Sequence, residues 1–167
     1  MVEASDGMDT FQLAAAVGEQ LRARGWHLAV AESCTGGLVG HWITEVAGSS
    51  DYFLGGVVAY SNQAKAQLLG VRPGTLLQHG AVSEATAREM AAGVRRLLGA
   101  DVALAVTGIA GPGGGTPEKP VGLVYIALDA PDRQICRRHV WKGDRAANKA
   151  RSAQAALALL RDYLAHL

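Results

Sequence analysis

His27-Leu28-Ala29-Val30-Ala31 runs without a break into Glu32-Ser33-Cys34-Thr35-Gly36-Gly37. The first five residues read as a short buried strand, and the next six as a glycine-rich loop that opens a helix with Leu38, Val39, Trp42, Ile43 and Val46 on one face, closed by Gly48. A strand, a glycine loop and a helix in that order are the unit from which α/β sheets are built. Upstream, Asp9 and Thr10 can cap a helix whose apolar positions are Phe11, Leu13, Ala14, Val17 and Leu21, with Gly25 as its stop. Downstream, Gly55 to Tyr60 reads as a strand, and Ser61 caps a helix that carries Lys65 and Leu68 and ends at Gly70.

The pattern continues. Ser83 caps a helix striped by Ala87, Met90, Val94, Leu97 and Leu98; Asp101 to Val106 is β-type; and Thr107 to Gly115 is a second glycine-rich loop. Val121–Leu128 and Ile135–Trp141 read as strands joined by a hairpin link over 129–133, and Asp144 opens a last helix with Ala153, Leu157, Leu160 and Leu164 on one side. The expected fold is a three-layer α/β/α single domain with a mixed sheet covered on both faces. Residues 1–8 are expected to be a mobile segment and 9–167 the domain.

Composition narrows the function. At roughly 150 residues per domain, 167 residues make one domain. Hydrophobic residues at 49% and charged residues at 19% supply a core, and a formal charge of +1 gives no field for DNA or RNA. Two cysteines, Cys34 and Cys136, make neither a disulfide framework nor a zinc cluster, and the five histidines lack paired ligand spacing, so no metal is expected. The acidic start has no signal-peptide character and no apolar run approaches membrane length, which points to a cytoplasmic protein. Glycine content and Ala-rich helices favour close packing of elements and a symmetric homo-oligomer.

Four places could carry chemistry. The loop of Ser33, Thr35, Gly36 and Gly37 ends a strand and starts a helix, where free N–H groups suit a phosphate, a carboxylate or an oxyanion; the same residues also fit a plain cap and turn. It is neither a P-loop, lacking Gly-Lys-Ser/Thr, nor a Gly-x-Ser-x-Gly elbow. Lys65, one of four lysines, follows a strand-loop junction; close to Ser33 and with a lowered pKa it could take the serine proton, and otherwise it is a solvated lysine. Thr107 to Gly115 looks like a backbone cradle for an anion or a surface turn. Arg145 at a helix start opposes the helix dipole and suggests an anionic partner. Glu32 lacks a carboxylate partner and reads as an acceptor that orients the loop, while Cys34 is a rival nucleophile to Ser33.

Ala31-Glu-Ser-Cys-Thr-Gly-Gly37, Gly56-Val-Val-Ala-Tyr-Ser-Asn-Gln-Ala-Lys65, His79-Gly-Ala-Val-Ser83 and Thr107-Gly-Ile-Ala-Gly-Pro112 together resemble the C-terminal domain of the CinA competence-damage family, from about Leu13 to Leu164. The likeness is to its stand-alone form, the nicotinamide-nucleotide amidohydrolases; the molybdopterin-binding-like domain that precedes it in full-length members has no matching stretch. The resemblance implies hydrolysis of nicotinamide mononucleotide to nicotinic acid mononucleotide and ammonia, without cofactor. It implies Ser33 as nucleophile and matches Lys65 and Tyr60 to the family's lysine and tyrosine. On this reading the amides of Cys34, Thr35 and Gly36 hold the oxyanion. Thr107, Gly108, Ile109, Ala110 and Gly111 receive the phosphate beside Arg145, and Thr35 or Asn62 positions the nucleotide. The alternative is a catalytically weak or inactive nucleotide-binding domain of the same family.

Overall fold

The computed structural model describes residues 7–167. Most of the segment expected to be mobile, residues 1–6, lies outside the described residues, while Met8 packs against the core and its carbonyl accepts from Gln154 Nε2 at 3.3 Å. Helix α1 (Thr10–Arg24) starts in a capping box: Asp9 Oδ1 accepts from the Gln12 amide at 2.8 Å and Gln12 Oε1 from the Asp9 amide at 2.9 Å. Gly25, at φ 65°, ends it in the left-handed region where a side chain would be strained. There follow β1 (Leu28–Glu32), α2 (Leu38–Thr44), a 3-10 turn (Ser49–Asp51), β2 (Phe53–Val58), α3 (Asn62–Leu69), α4 (Pro73–His79), α5 (Glu84–Leu98), β3 (Val102–Gly108), β4 (Leu123–Asp129), β5 (Gln134–Val140) and α6 (Arg145–Ala165).

The five-stranded sheet has the order β2-β1-β3-β4-β5, with β2, β1 and β3 parallel and β4 and β5 antiparallel. The mixed sheet and its hairpin are as expected, and one domain is formed. Along the central strands the side chains alternate by size as well as by face. Leu28, Val30, Val102, Leu104, Val106, Val124, Ile126 and Leu128 point to a large core shared with α1, α2 and α6. Ala29, Ala31, Ala103, Ala105 and Ala127 point to the opposite core with α5 and the end of α3. Methyl-sized side chains let α5 lie close to the sheet. The fit tightens further at Gly93, where an added Cβ would overlap the carbonyl of Leu69 at the end of α3.

Several boundaries differ from the sequence reading. Strand β2 covers 53–58, so Tyr60 stands beyond it; α2 stops at Thr44, short of Val46; α4 is an extra helix. Strand β3 extends to Gly108 because Thr107 and Gly108 pair with Tyr125 and Val124 of β4, which takes both residues out of the expected loop. The chain leaves β1 for β2 on one side and reaches β3 on the other. The crevice beyond the carboxyl ends of β1 and β3 is therefore a topological switch point, the usual ligand position of such sheets. Among the described residues no helix is long and apolar enough to cross a membrane.

Candidate active site

Ser33 is the first residue after β1. Its amide donates to the Val106 carbonyl at 2.9 Å, so its backbone prolongs the pairing of β1 with β3. On the other side the Ala59 amide donates to the Glu32 carbonyl at 2.8 Å, which draws the chain after β2 beside the serine. Ser61 then caps α3, its Oγ accepting from the Ala64 amide at 3.0 Å, and the first turn of that helix delivers Lys65. Lys65 Nζ lies 3.0 Å from Ser33 Oγ, across 32 residues of sequence. Its two other neighbours are carbonyl oxygens, Ala59 O at 3.0 Å and Tyr60 O at 3.2 Å.

Lys65 is 1% exposed, and its burial pushes the ammonium pKa below 10.5. A neutral amine has two N–H bonds and one lone pair. The ammonium can donate to all three oxygens; once neutral, the amine keeps its two donors for the carbonyls and turns its lone pair to the Ser33 hydroxyl. The arrangement suits a base that removes the serine proton. Cys34, the rival nucleophile, has a buried thiol whose pKa is raised by desolvation to about 11. Among the described residues no hydrogen bond joins that thiol to Lys65, whose amine meets Ser33 instead.

Ser33, Lys65, Thr107, Gly108, Ala110 and Arg145 border a cavity of about 180 Å³. That is below the roughly 300 Å³ at which ligand pockets usually begin, so it has room for only part of a nucleotide-sized ligand. At the rim stands Tyr60, 63% exposed, its hydroxyl accepting from Arg145 Nη2 at 3.3 Å. Only the tyrosine's backbone carbonyl touches Lys65. Ala81 and Val82 form an apolar wall, and Thr107 fixes it by donating its hydroxyl to the Ala81 carbonyl at 2.8 Å.

The remaining expected residues divide. Gly36 and Gly37 make the turn at φ 61° and 107°, but the Gly36 amide donates to the Ser33 carbonyl at 3.1 Å and is not an oxyanion donor. Among the described residues the Cys34 and Thr35 amides have no acceptor. The Thr35 side chain is buried and its hydroxyl donates to Glu32 Oε1 at 2.6 Å, so it is turned away from a nucleotide. Asn62 is exposed on the first turn of α3, outside the cavity. The segment 107–111 is not a row of free amides: the Ile109 amide donates to the Leu123 carbonyl at 2.8 Å, while the Ala110 and Gly111 amides have no acceptor among the described residues. Arg145 is held by donating from Nη1 to the Gly111 carbonyl at 2.7 Å.

Two residues of α6 escaped the sequence reading. Asn148, 1% exposed, donates from Nδ2 to the Ala110 carbonyl and accepts from the Gly143 amide, each at 3.0 Å. A lone amide side chain within an apolar helical stripe was the available sign. Lys149 brings its ammonium to 3.9 Å from where a Cβ on Gly36 would stand. Among the described residues no group of three or more His, Cys, Asp or Glu is placed to hold a metal.

A match to the CinA C-terminal domain runs over residues 10–164. The chain belongs to the CinA C-terminal domain family. It is 52% identical over 151 residues to a CinA-like protein of Salinibacter ruber, covering 90% of this chain and 37% of that protein. With a CinA-like protein of Synechocystis it shares 55% over 139 residues, 83% of this chain and 33% of the other. The chain thus spans a little over a third of the length of the curated relatives it matches. Among solved structures, a competence-damaged protein (CinA) superfamily protein from Klebsiella pneumoniae superposes with TM-score 0.92 at 40% identity, covering 96% of this chain and all (100%) of that one. A CinA superfamily protein from Escherichia coli gives 0.91 at 33% identity, covering 96% and 94%.

Proposed function

We propose that this CinA C-terminal domain is a serine amidohydrolase that converts nicotinamide mononucleotide and water to nicotinic acid mononucleotide and ammonia, in recycling of pyridine nucleotides. The observation that carries the catalytic reading is the buried amine of Lys65 at 3.0 Å from Ser33 Oγ. The substrate follows from the likeness of the four motifs to the nicotinamide-nucleotide amidohydrolases.

Ser33 Oγ attacks the carboxamide carbon while its proton passes to Lys65 Nζ. The Cys34 and Thr35 amides receive the oxyanion, a contribution of about 3–4 kcal/mol per donor to the transition state. The tetrahedral adduct expels the amide nitrogen, which takes the proton back from Lys65 and leaves as ammonia. Water, deprotonated by the same amine, then attacks the Ser33 ester and releases the carboxylate. The 5′-phosphate lies at the mouth beside Arg145 and the Ala110 amide.

Ammonia measured by a coupled assay with nicotinamide mononucleotide tests the reading directly. The wild-type protein is expected to turn over, and Ser33→Ala to lose about a thousandfold or more in kcat while keeping its fold. Binding of the nucleotide without ammonia release would make the domain a binding module.

A further inference from the structure

Glu32 is the residue immediately before the nucleophile, and it is 2% exposed. Strand alternation sends its side chain to the face of Leu28 and Val30, away from Lys65 and towards α2. There its carboxylate meets three donors. Oε1 accepts from the Thr35 hydroxyl at 2.6 Å and the Val39 amide at 2.9 Å, and Oε2 accepts from the Gly40 amide at 3.1 Å.

Helix α2 has Gly37 before it and no side chain of its own as a cap. Its second and third amides, Val39 and Gly40, are the ones a capping residue would ordinarily serve, and Glu32 serves them from the strand. Leu38 and His41 donate to the Thr35 and Gly37 carbonyls. The positive end of the helix is thus filled by the protein's own carboxylate, not by a ligand. The chain from Ser33 to Gly37 is tied at one end to β3 and at the other to Glu32. Between those ties lie the two amides that have no acceptor, Cys34 and Thr35.

We infer that Glu32 is a positioning residue for acyl transfer at Ser33: its carboxylate, by holding Thr35 and the start of α2, fixes the turn that presents the Cys34 and Thr35 amides to the oxyanion. The inference rests on Ser33 being the nucleophile, and does not depend on which amide is hydrolysed. A carboxylate is required because all three partners donate; a glutamine would set an NH₂ group against one of them.

The test is the rate at which an alkyl fluorophosphonate labels Ser33. In that reaction the Oγ–P bond forms, fluoride leaves and the serine proton passes to Lys65, while the phosphoryl oxygen occupies the oxyanion position. Rates are followed by mass spectrometry from pH 6 to 10 and divided by the folded fraction from circular dichroism. Glu32→Gln is expected to label at least tenfold more slowly with the midpoint of its pH profile unmoved, since Lys65 keeps its surroundings. Thr35→Val, which removes one of the three bonds and is the milder change should Glu32→Gln not fold, is expected to slow labelling in the same sense. Wild-type rates per folded molecule in Thr35→Val and Glu32→Gln, or a shifted midpoint with an undiminished plateau, would overturn the inference. So would a wild-type protein that is not labelled at Ser33. Labelling that depends on Glu32 in a protein that leaves nicotinamide mononucleotide intact would refute the substrate and uphold Glu32.

Discussion

Lys65 carries an electrostatic signature that can be read apart from any assay of turnover. Its pKa in the folded protein is lowered from 10.5 by burial. Between that lowered value and 10.5 the unfolded chain binds more protons than the folded one, so raising the pH through this window stabilises the fold. The slope is at most about 1.4 kcal/mol per pH unit. Lys65→Met abolishes this pH dependence. In urea unfolding from pH 7 to 10, the stability of wild type relative to Lys65→Met is expected to rise with pH; a flat or falling difference would mean that the amine is charged throughout. The same ionisation is expected to make labelling of Ser33 by the fluorophosphonate climb with pH to a plateau. Ser33 and Lys65 were both legible in the sequence, each at the junction of a strand and a helix. What could not be read was their contact, which depends on the pairing of Ala59 with Glu32. The aim of the Thr35 hydroxyl was equally hidden, because strand alternation alone does not say which donors will surround Glu32.

Among the secondary elements, the seat of α3 matters most, since that helix carries the base. Gly93 of α5 lies against the Leu69 carbonyl with no room for a methyl group. Gly93→Ala must move one helix, at an expected loss of roughly 1–3 kcal/mol in unfolding free energy. A fall in kcat larger than the loss of folded protein should accompany it, because Lys65 shifts with α3. Unchanged kinetics and stability would show that the two helices slide apart freely. Arg145 ties α6 to the rim through the Gly111 carbonyl and the Tyr60 hydroxyl. Arg145→Ala is expected to raise KM for nicotinamide mononucleotide at least tenfold, and for the unphosphorylated riboside hardly at all; equal changes would remove it from the phosphate. Caps made most helices readable, with Asp9, Ser61, Ser83 and Asp144 each accepting from the amide three residues on. Helix α4 went unread because Pro73-Gly74 looks like a turn and Arg72 caps nothing.

For the molecule as a whole, layer number, sheet class and the closing hairpin followed from the order of periodic segments. The alternation Leu-Ala-Val-Ala in β1, repeated as Val-Ala-Leu-Ala-Val in β3, also encoded which face has the thick core and which receives the close-packed α5. Strand order was not encoded locally. It arises from the chain leaving β1 on one side and returning on the other, and that crossing places the crevice, the nucleophile and the base at one end of the sheet. Because the sheet also claims the amide of Ser33 for Val106, that amide would not serve an oxyanion in the proposed reaction. In the proposed reaction the oxygen of the attacked group turns towards residues 34 and 35, and the departing nitrogen towards Lys65. A flat carboxamide can be approached from above or below, and only one approach satisfies both demands. The adduct of the proposed reaction would then form with a single handedness, and the planar acid that follows would keep no trace of it.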